Sequence, residues 1–362
     1  MKRLASLDAL RGFDMFWIMG GEALLGSLVA LFGVTGFGAA FDHVPWHGLH
    51  FMDCIFPTFL FLAGVSFPFS AAASAARGLT KRAIALRCWR RGVTLFVLGL
   101  VFNGLLQQPD VVHFRVWSVL GRIGLAWMVA AWIALAVKSM KWRLAIAFAI
   151  LVGVTAFTLL VPAPGAASGA DVFSPEGNFG CWLDRALTGG HTYQPLFDPE
   201  GFAGFLPAVA TALFGVLAGD WIRSHAVTWR TARVLLIAGV ALSLAGWAWS
   251  LVFPINKALW SPSFTLVVGG FSLMALATFY WVIDVKGWAQ WAFPFKVVGM
   301  NSITIYLAQP IIGFGTAQQF FFGAAIGNLP SGAAAVLAAA AYVVLCWLFL
   351  YFLYRKDIFL KV

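Results

Sequence analysis

Long apolar runs recur from one end of the chain to the other, separated by short polar or basic stretches. Most are about long enough for a helix to cross a hydrocarbon core of about 30 Å. The pattern predicts ten spans, at 9–34, 53–75, 92–106, 117–137, 144–161, 202–222, 234–253, 263–283, 297–317 and 331–354. The predicted fold class is therefore all-α, a polytopic membrane protein with one transmembrane domain over 1–362 and one long external segment at about 162–201. Lys2-Arg3 before an apolar stretch resembles a secretory leader. Asp8, Arg11 and Asp14 interrupt it and no small-residue cleavage site follows promptly, so it reads as a retained first helix.

Composition agrees with this pattern. Hydrophobic residues make up 61% of 362 and charged residues 10%, against about a quarter charged in soluble domains. A net charge of +10 in a soluble protein points to nucleic acid, but here its placement is more informative than its sum. With the N-terminus inside, all but four of the 24 Lys and Arg residues fall on the cytoplasmic side, the exceptions being Arg115, Arg122, Arg185 and Lys257. That asymmetry is the positive-inside rule. Both termini are expected in the cytoplasm and His43 outside, with the lipid bilayer, not nucleic acid, as the large partner.

Several polar groups interrupt this pattern, and intramembrane charge is costly enough to need a reason. The stretch 42–70, DHVPWHGLHFMDCIFPTFLFLAGVSFPFS, joins Asp42, His43, Trp46, His47 and His50 to an apolar run with Asp53 at its mouth. Asp14 and Glu22 are eight residues apart, which on a continuous helix places them on one face; Glu22 follows Gly20-Gly21, where backbone can approach a ligand closely. Residues 80–91 form a basic amphipathic segment. Its charges suit anionic headgroups, and Arg87, Arg90 and Arg91 also suit a polyanionic nucleotide, although no Gly-rich phosphate loop accompanies them. Arg115 and Arg122, seven apart, fall on nearly one face; Arg115 is placed to snorkel, and Arg122 calls for a carboxylate or ligand partner. The external segment holds His191 and Tyr193, side chains suited to a sugar. Asn256, Lys257 and Trp260 precede the eighth span, and Asn301 and Ser302 open the ninth, either as caps or as functional groups. The four cysteines show neither a CxxC nor an external pair.

His43, His47 and His50 would share a face if helical, but Pro45 breaks the segment and no HExxH motif is present, so no metal is expected. A histidine base oriented by Asp53 is the competing chemistry, since imidazole exchanges protons near neutrality.

The motifs RLASLDALRGFDMFWIMGG, DHVPWHGLHFMDCIFPTFLFLAGVS, RVWSVLGRIG, LDRALTGGHTYQPLFDPEG with LFGVLAGDW, PINKALWSPSF, and VIDVKG with VGMNSITIYLAQ occur in this order over essentially the whole chain. Together they resemble the heparan-α-glucosaminide N-acetyltransferase family and its bacterial relatives. The resemblance implies an acetyltransferase of the bacterial inner membrane that moves acetyl from cytosolic acetyl-CoA to the amine of glucosamine or a terminal glucosaminide on the periplasmic side. A homodimer is also implied. The family's H-x-x-W-x-G-L histidine falls on His43 and its D-x-x-F-P aspartate on Asp53, which implies a catalytic pair. The N-K-x-L-W motif falls on Asn256, Lys257 and Trp260, and M-N-S on Asn301 and Ser302. Substrate contacts are expected at Glu22, Trp46, His191, Tyr193, Asn256, Lys257 and Trp260, and cofactor contacts at Arg87, Arg90, Arg91, Arg122, Asn301 and Ser302. Two positions depart from the family: Gly20-Gly21-Glu22 stands where relatives often carry asparagine, and Gly121 replaces a frequent glutamine. Direct transfer and a ping-pong cycle through an acetylated His43 both remain open. So do an amino-sugar transporter, which the intramembrane carboxylates would also suit, and a polysaccharide O-acyltransferase, whose family shares only the LDALRG-like opening.

Overall fold

The computed structural model describes residues 4–34, 41–105 and 114–360. Lys2, Arg3 and Lys361, used in the charge pattern, and the end of the third expected span at Leu106 lie outside the described residues. Fourteen α-helices are described. They are α1 (Ala5–Phe16), α2 (Glu22–Leu31), α3 (Phe51–Ala76), α4 (Lys81–Phe102), α5 (Val119–Ala136), α6 (Met140–Leu160), α7 (Phe179–Leu187), α8 (Phe205–Ser224), α9 (Trp229–Trp249), α10 (Pro262–Phe279), α11 (Phe293–Met300), α12 (Ser302–Ile311), α13 (Phe314–Gly327) and α14 (Ser331–Arg355).

Among the described residues, eight helical segments, not ten, are long and apolar enough to cross a membrane. The third expected span is only the second half of α4, whose first half carries Lys81, Arg82, Arg87, Arg90 and Arg91. The ninth is broken. Its helix stops at Asn301 (φ −131°, ψ 31°), resumes as α12, ends one residue after Pro310, and starts again as α13, as a proline that cannot donate to the ladder allows.

The chain forms two compact units. The first comprises Met1–His43, His50–Ile55 and Ala275–Lys361. Here α1 lies along α11 at backbone contact: a Cβ added at Gly12 would fall 1.7 Å from the Phe295 carbonyl oxygen, and one at Gly299 1.8 Å from that of Asp8. The first turn of α1 is held from far along the chain, with the N–H groups of Ala5 and Ser6 donating to the two carboxylate oxygens of Asp284 at 3.2 and 3.3 Å. Those N–H groups have no intrahelical partner, and an anion at a helix N-terminus also meets the favourable end of its dipole.

A π-helical turn, Trp17–Gly21, separates α1 from α2, and Gly20 there has φ +118°, a conformation other residues rarely adopt. This break overturns the shared face expected for Asp14 and Glu22, because their eight-residue spacing no longer runs through one regular helix. Asp14 is buried, while Glu22 opens α2 half-exposed. The amide of Gln309 reaches back to the Ile18 carbonyl within the break at 3.5 Å.

The second unit comprises Val44–Leu49 and Phe56–Met274. Its α8 is buried along most of its length. Along the contact of α3 with α8, a Cβ on Gly215 or Gly219 would fall 2.0 or 2.3 Å from the carbonyl oxygens of Phe61 and Val65, and one on Gly64 2.2 Å from that of Ala212. Small residues permit this approach, which is how helices pack where lipid removes the hydrophobic drive between them. At one end of α8, Arg143 pairs with Asp220 and also donates to the carbonyls of Val137 and Ala134. The long segment at 162–201 carries its own short helix, α7, capped by Asn178, whose Oδ1 accepts from Gly180 and Cys181 at 2.9 and 3.2 Å.

Candidate functional site

In the first unit, the chain enters α3 through a turn that brings three polar groups together. His43 Nδ1 and Asp53 Oδ1 are 2.7 Å apart, and the second oxygen of Asp53 accepts the His50 N–H at 3.0 Å. Asp53 is fully buried, whereas the His43 side chain is 54% exposed. A buried carboxylate next to an imidazole makes Nδ1 the donor, which leaves the basic lone pair on Nε2. His50 in turn engages the Asp42 carbonyl through Nδ1 at 3.0 Å. Residues 43–50 are not helical, in line with the break expected at Pro45. Among the described residues no three of His, Cys, Asp and Glu are grouped to hold a metal ion. Trp17 packs on Phe41 and Phe51, which flank this turn in sequence, and its buried indole N–H has no acceptor among the described residues. Sequence reasoning missed Trp17, because an aromatic in an apolar helix carries no signal of its own.

In the second unit, residues 44–49 dock on the turn before α10. Trp46 donates Nε1–H to the Phe173 carbonyl at 2.9 Å and meets Phe197 edge-on, with ring centroids 4.8 Å apart. Gly48 N–H donates to Ile255 O at 2.9 Å, and Asn256 Nδ2 lies 3.3 Å from His47 Nδ1. Asn256 is entirely buried. Trp260 is too, with φ +51°; its indole N–H donates to Thr211 Oγ1 at 3.1 Å and its ring packs on Phe56 and Phe264. Lys257 is half-buried beside them.

The 162–201 segment is clamped at its end. Arg115 forks to both oxygens of Asp198 at 2.7 Å and bonds Glu200, with Tyr193 under its guanidinium at 4.8 Å. Arg122, fully buried in α5, donates to the Gly201 carbonyl and lies over Trp260 at 5.0 Å. Arg115 precedes α5 in extended backbone, so the two arginines share a target segment instead of a helix face. Arg115, expected to snorkel, takes the carboxylates directly, while Arg122 bonds a backbone carbonyl with the carboxylates of Glu200, Asp184 and Asp198 nearby. Asp184 of α7 completes the clamp by accepting the Phe202 N–H. Burial is the largest influence on its carboxyl and pushes the pKa up to about 7 against that hydrogen bond and the nearby Arg122. Tyr193 is exposed and His191 half-buried on this segment.

The remaining expected residues divide by exposure. Arg87 and Arg90 lie exposed on α4, whereas Arg91 stacks over Trp127 at 4.5 Å. Asn301, at the break between α11 and α12, spends its amide on the Ile358 carbonyl at 3.1 Å and its oxygen on Thr304 at 3.3 Å; Ser302 begins α12.

Taken together, fold and residues define a class: an all-α polytopic membrane protein with a carboxylate-oriented histidine at the mouth of a span. No protein-family model matches the chain. It is 28% identical over 419 aligned positions to heparan-alpha-glucosaminide N-acetyltransferase of Homo sapiens, an alignment covering 99% of this chain and 60% of that protein. The Mus musculus protein of the same name is 27% identical over 375 positions, covering 89% and 56%. The chain is homologous to that family over most of its length, and spans about 60% of the length of the human relative.

Proposed function

We propose that this protein is a transmembrane N-acetyltransferase that moves acetyl from acetyl-CoA to the amine of glucosamine or of a terminal glucosaminide. The observation that carries the reading is the His43–Asp53 pair: a 2.7 Å contact between an exposed imidazole and a buried carboxylate. The homology to a glucosaminide N-acetyltransferase family supports the same chemistry. Acetyl-CoA supplies the activated thioester when bound. His43 Nε2 removes the proton that the amine must lose as its nitrogen bonds to the acetyl carbon, and returns a proton to the sulfur as the C–S bond breaks. Asp53 holds the ring in the required tautomer and stabilises the imidazolium formed in between. In the ping-pong variant Nε2 carries the acetyl group before the amine does.

The exposed Arg87 and Arg90 are assigned to the nucleotide phosphates, because guanidinium forks match phosphate oxygens. Arg91, Arg122 and Asn301 are engaged with the protein's own groups, so their role in this reading is to shape the scaffold. The charge pattern supports an orientation with α4 facing the cytoplasm and His43 the external side.

Purified protein in liposomes with labelled acetyl-CoA and glucosamine tests the proposal. His43→Ala is expected to lower transfer by at least about 10²-fold, the usual contribution of a positioned base, and equal turnover in the variant would reject the role. A second reading, amino-sugar transport, draws on buried Asp14, one of whose oxygens has no partner among the described residues. Sugar flux without thioester consumption would favour it.

A further inference from the structure

His47 sits in the same short segment as His43, yet the fold fixes its hydrogen bonding in the opposite sense. The backbone N–H of Leu259 donates to Asn256 Oδ1 at 2.8 Å, which orients the carboxamide with its NH2 toward His47. An amide nitrogen cannot accept, so His47 Nδ1, 3.3 Å away, is the acceptor. A neutral imidazole that accepts at Nδ1 carries its proton on Nε2. Asn256 has no freedom to turn over. It is entirely buried, its N–H donates to Ser261 Oγ and its carbonyl accepts from Ser261 N–H, each at 3.0 Å, and the turn is completed by Trp260 in the left-handed region at φ +51°. The Gly48–Ile255 bond ties the backbone beside His47 to the same turn.

Two further features surround this donor. The Trp46 ring lies 5.9 Å from the imidazole at 58°. Its own N–H is already used at Phe173, so what remains of this half-buried ring, packed on Phe197, is apolar surface and not a polar contact. Asp171 is the charged group that acts on His47 and favours its protonation. Partial burial acts more strongly the other way and lowers the pKa of the ring. The His47 side chain itself is exposed. An exposed N–H donor of fixed direction beside an aromatic face is the chemistry that recognises a hydroxylated ring: the face covers C–H surface and the donor meets an oxygen.

We propose that His47 is a sugar-binding residue whose Nε2–H donates to a hydroxyl or ring oxygen of an amino sugar resting against Trp46. This rests on the acceptor class of the preceding section and adds the residue that reads it.

The test uses the full chain in detergent, labelled with ¹⁵N-histidine, with the His47 signal assigned by its loss in His47→Gln. The wild-type signal is expected to show the Nε2–H tautomer and to protonate only below the ordinary value of 6.5. Binding of glucosamine is read separately by saturation-transfer NMR. His47→Phe, which keeps a ring but no donor, should weaken it by roughly 3- to 10-fold, while His47→Gln, which restores an N–H near the same place, should stay within about 3-fold of wild type. Asn256→Asp replaces the donor by an acceptor and should reverse the tautomer and raise the His47 pKa. Should that buried change prevent folding, the two substitutions at exposed His47 carry the test alone. An Nδ1–H tautomer in the wild type, no glucosamine binding by the wild type, or unchanged binding in His47→Phe overturns the proposal. Sugar binding with the expected tautomer but no acetyl transfer would sink the transferase reading and leave this one standing. Transfer with an unchanged glucosamine KM in His47→Phe would do the reverse.

Discussion

Asp53 and Asp184 are both buried carboxylates, but their surroundings give them different work. Asp53 contacts the His43 imidazole and accepts the His50 N–H. Among the described residues, Asp184 accepts from backbone N–H groups with the Arg122 charge nearby, and burial pushes it up to about 7. Its folded pKa therefore lies above the ordinary 3.8. Between those values the native state keeps a proton that the unfolded chain has released, so stability falls as pH rises through that window. Asp184→Asn, which keeps an acceptor for Phe202 without a charge, should flatten the dependence. Thermal unfolding of both proteins from pH 4 to 8 is expected to show the variant gaining on the wild type as pH rises, and parallel curves would show that Asp184 does not titrate there. At this scale the sequence marked Asp53 through its motif. It gave no sign of Asp184, because what raises that carboxyl is desolvation by residues distant in the chain.

Among the elements, the contact of α3 with α8 is the most exacting in the second unit. Gly64, Gly215 and Gly219 leave no room for a Cβ, and the opposing atoms are backbone carbonyls that cannot swing away. Gly215→Leu should cost at least about 1–3 kcal/mol by overpacking, whereas Gly153→Leu on α6, where a Cβ meets nothing within 4 Å, should cost far less. Denaturation midpoints of the two variants in one detergent give the comparison, and equal losses would refute the close seam. The Gly215-x-x-x-Gly219 spacing was visible in the sequence, but its partner helix was not. Helix interruptions were equally hidden: Gly20 carries no local signal that sets it apart from Gly12 or Gly64, which lie inside unbroken helices, and Asn301 reads equally well as a simple cap. Their role appears only where Gln309 reaches the Ile18 carbonyl and Asn301 holds Ile358.

For the molecule as a whole, the proposed orientation rests on the placement of the basic residues, and labelling can read it. The four native cysteines are all buried, which keeps the background low. Tyr193→Cys on the 162–201 segment should react with a membrane-impermeant maleimide in intact cells, and Lys81→Cys at the start of α4 only after permeabilisation. The opposite pattern would invert the proposed topology and with it the direction of transfer. Hydropathy and charge placement determined by themselves that this is a polytopic helical membrane protein, because lipid forces each span to satisfy its own backbone and to hide its charge. The ordered motifs marked His43 and Asp53 as partners. Only the tertiary structure decided which arginine takes the carboxylates, where the spans break, and that His43 and His47 carry opposite tautomers. Those outcomes depend on hydrogen-bond partners such as Asp198 and Asn256, up to about two hundred positions away, and no local pattern records a partner that far along the chain.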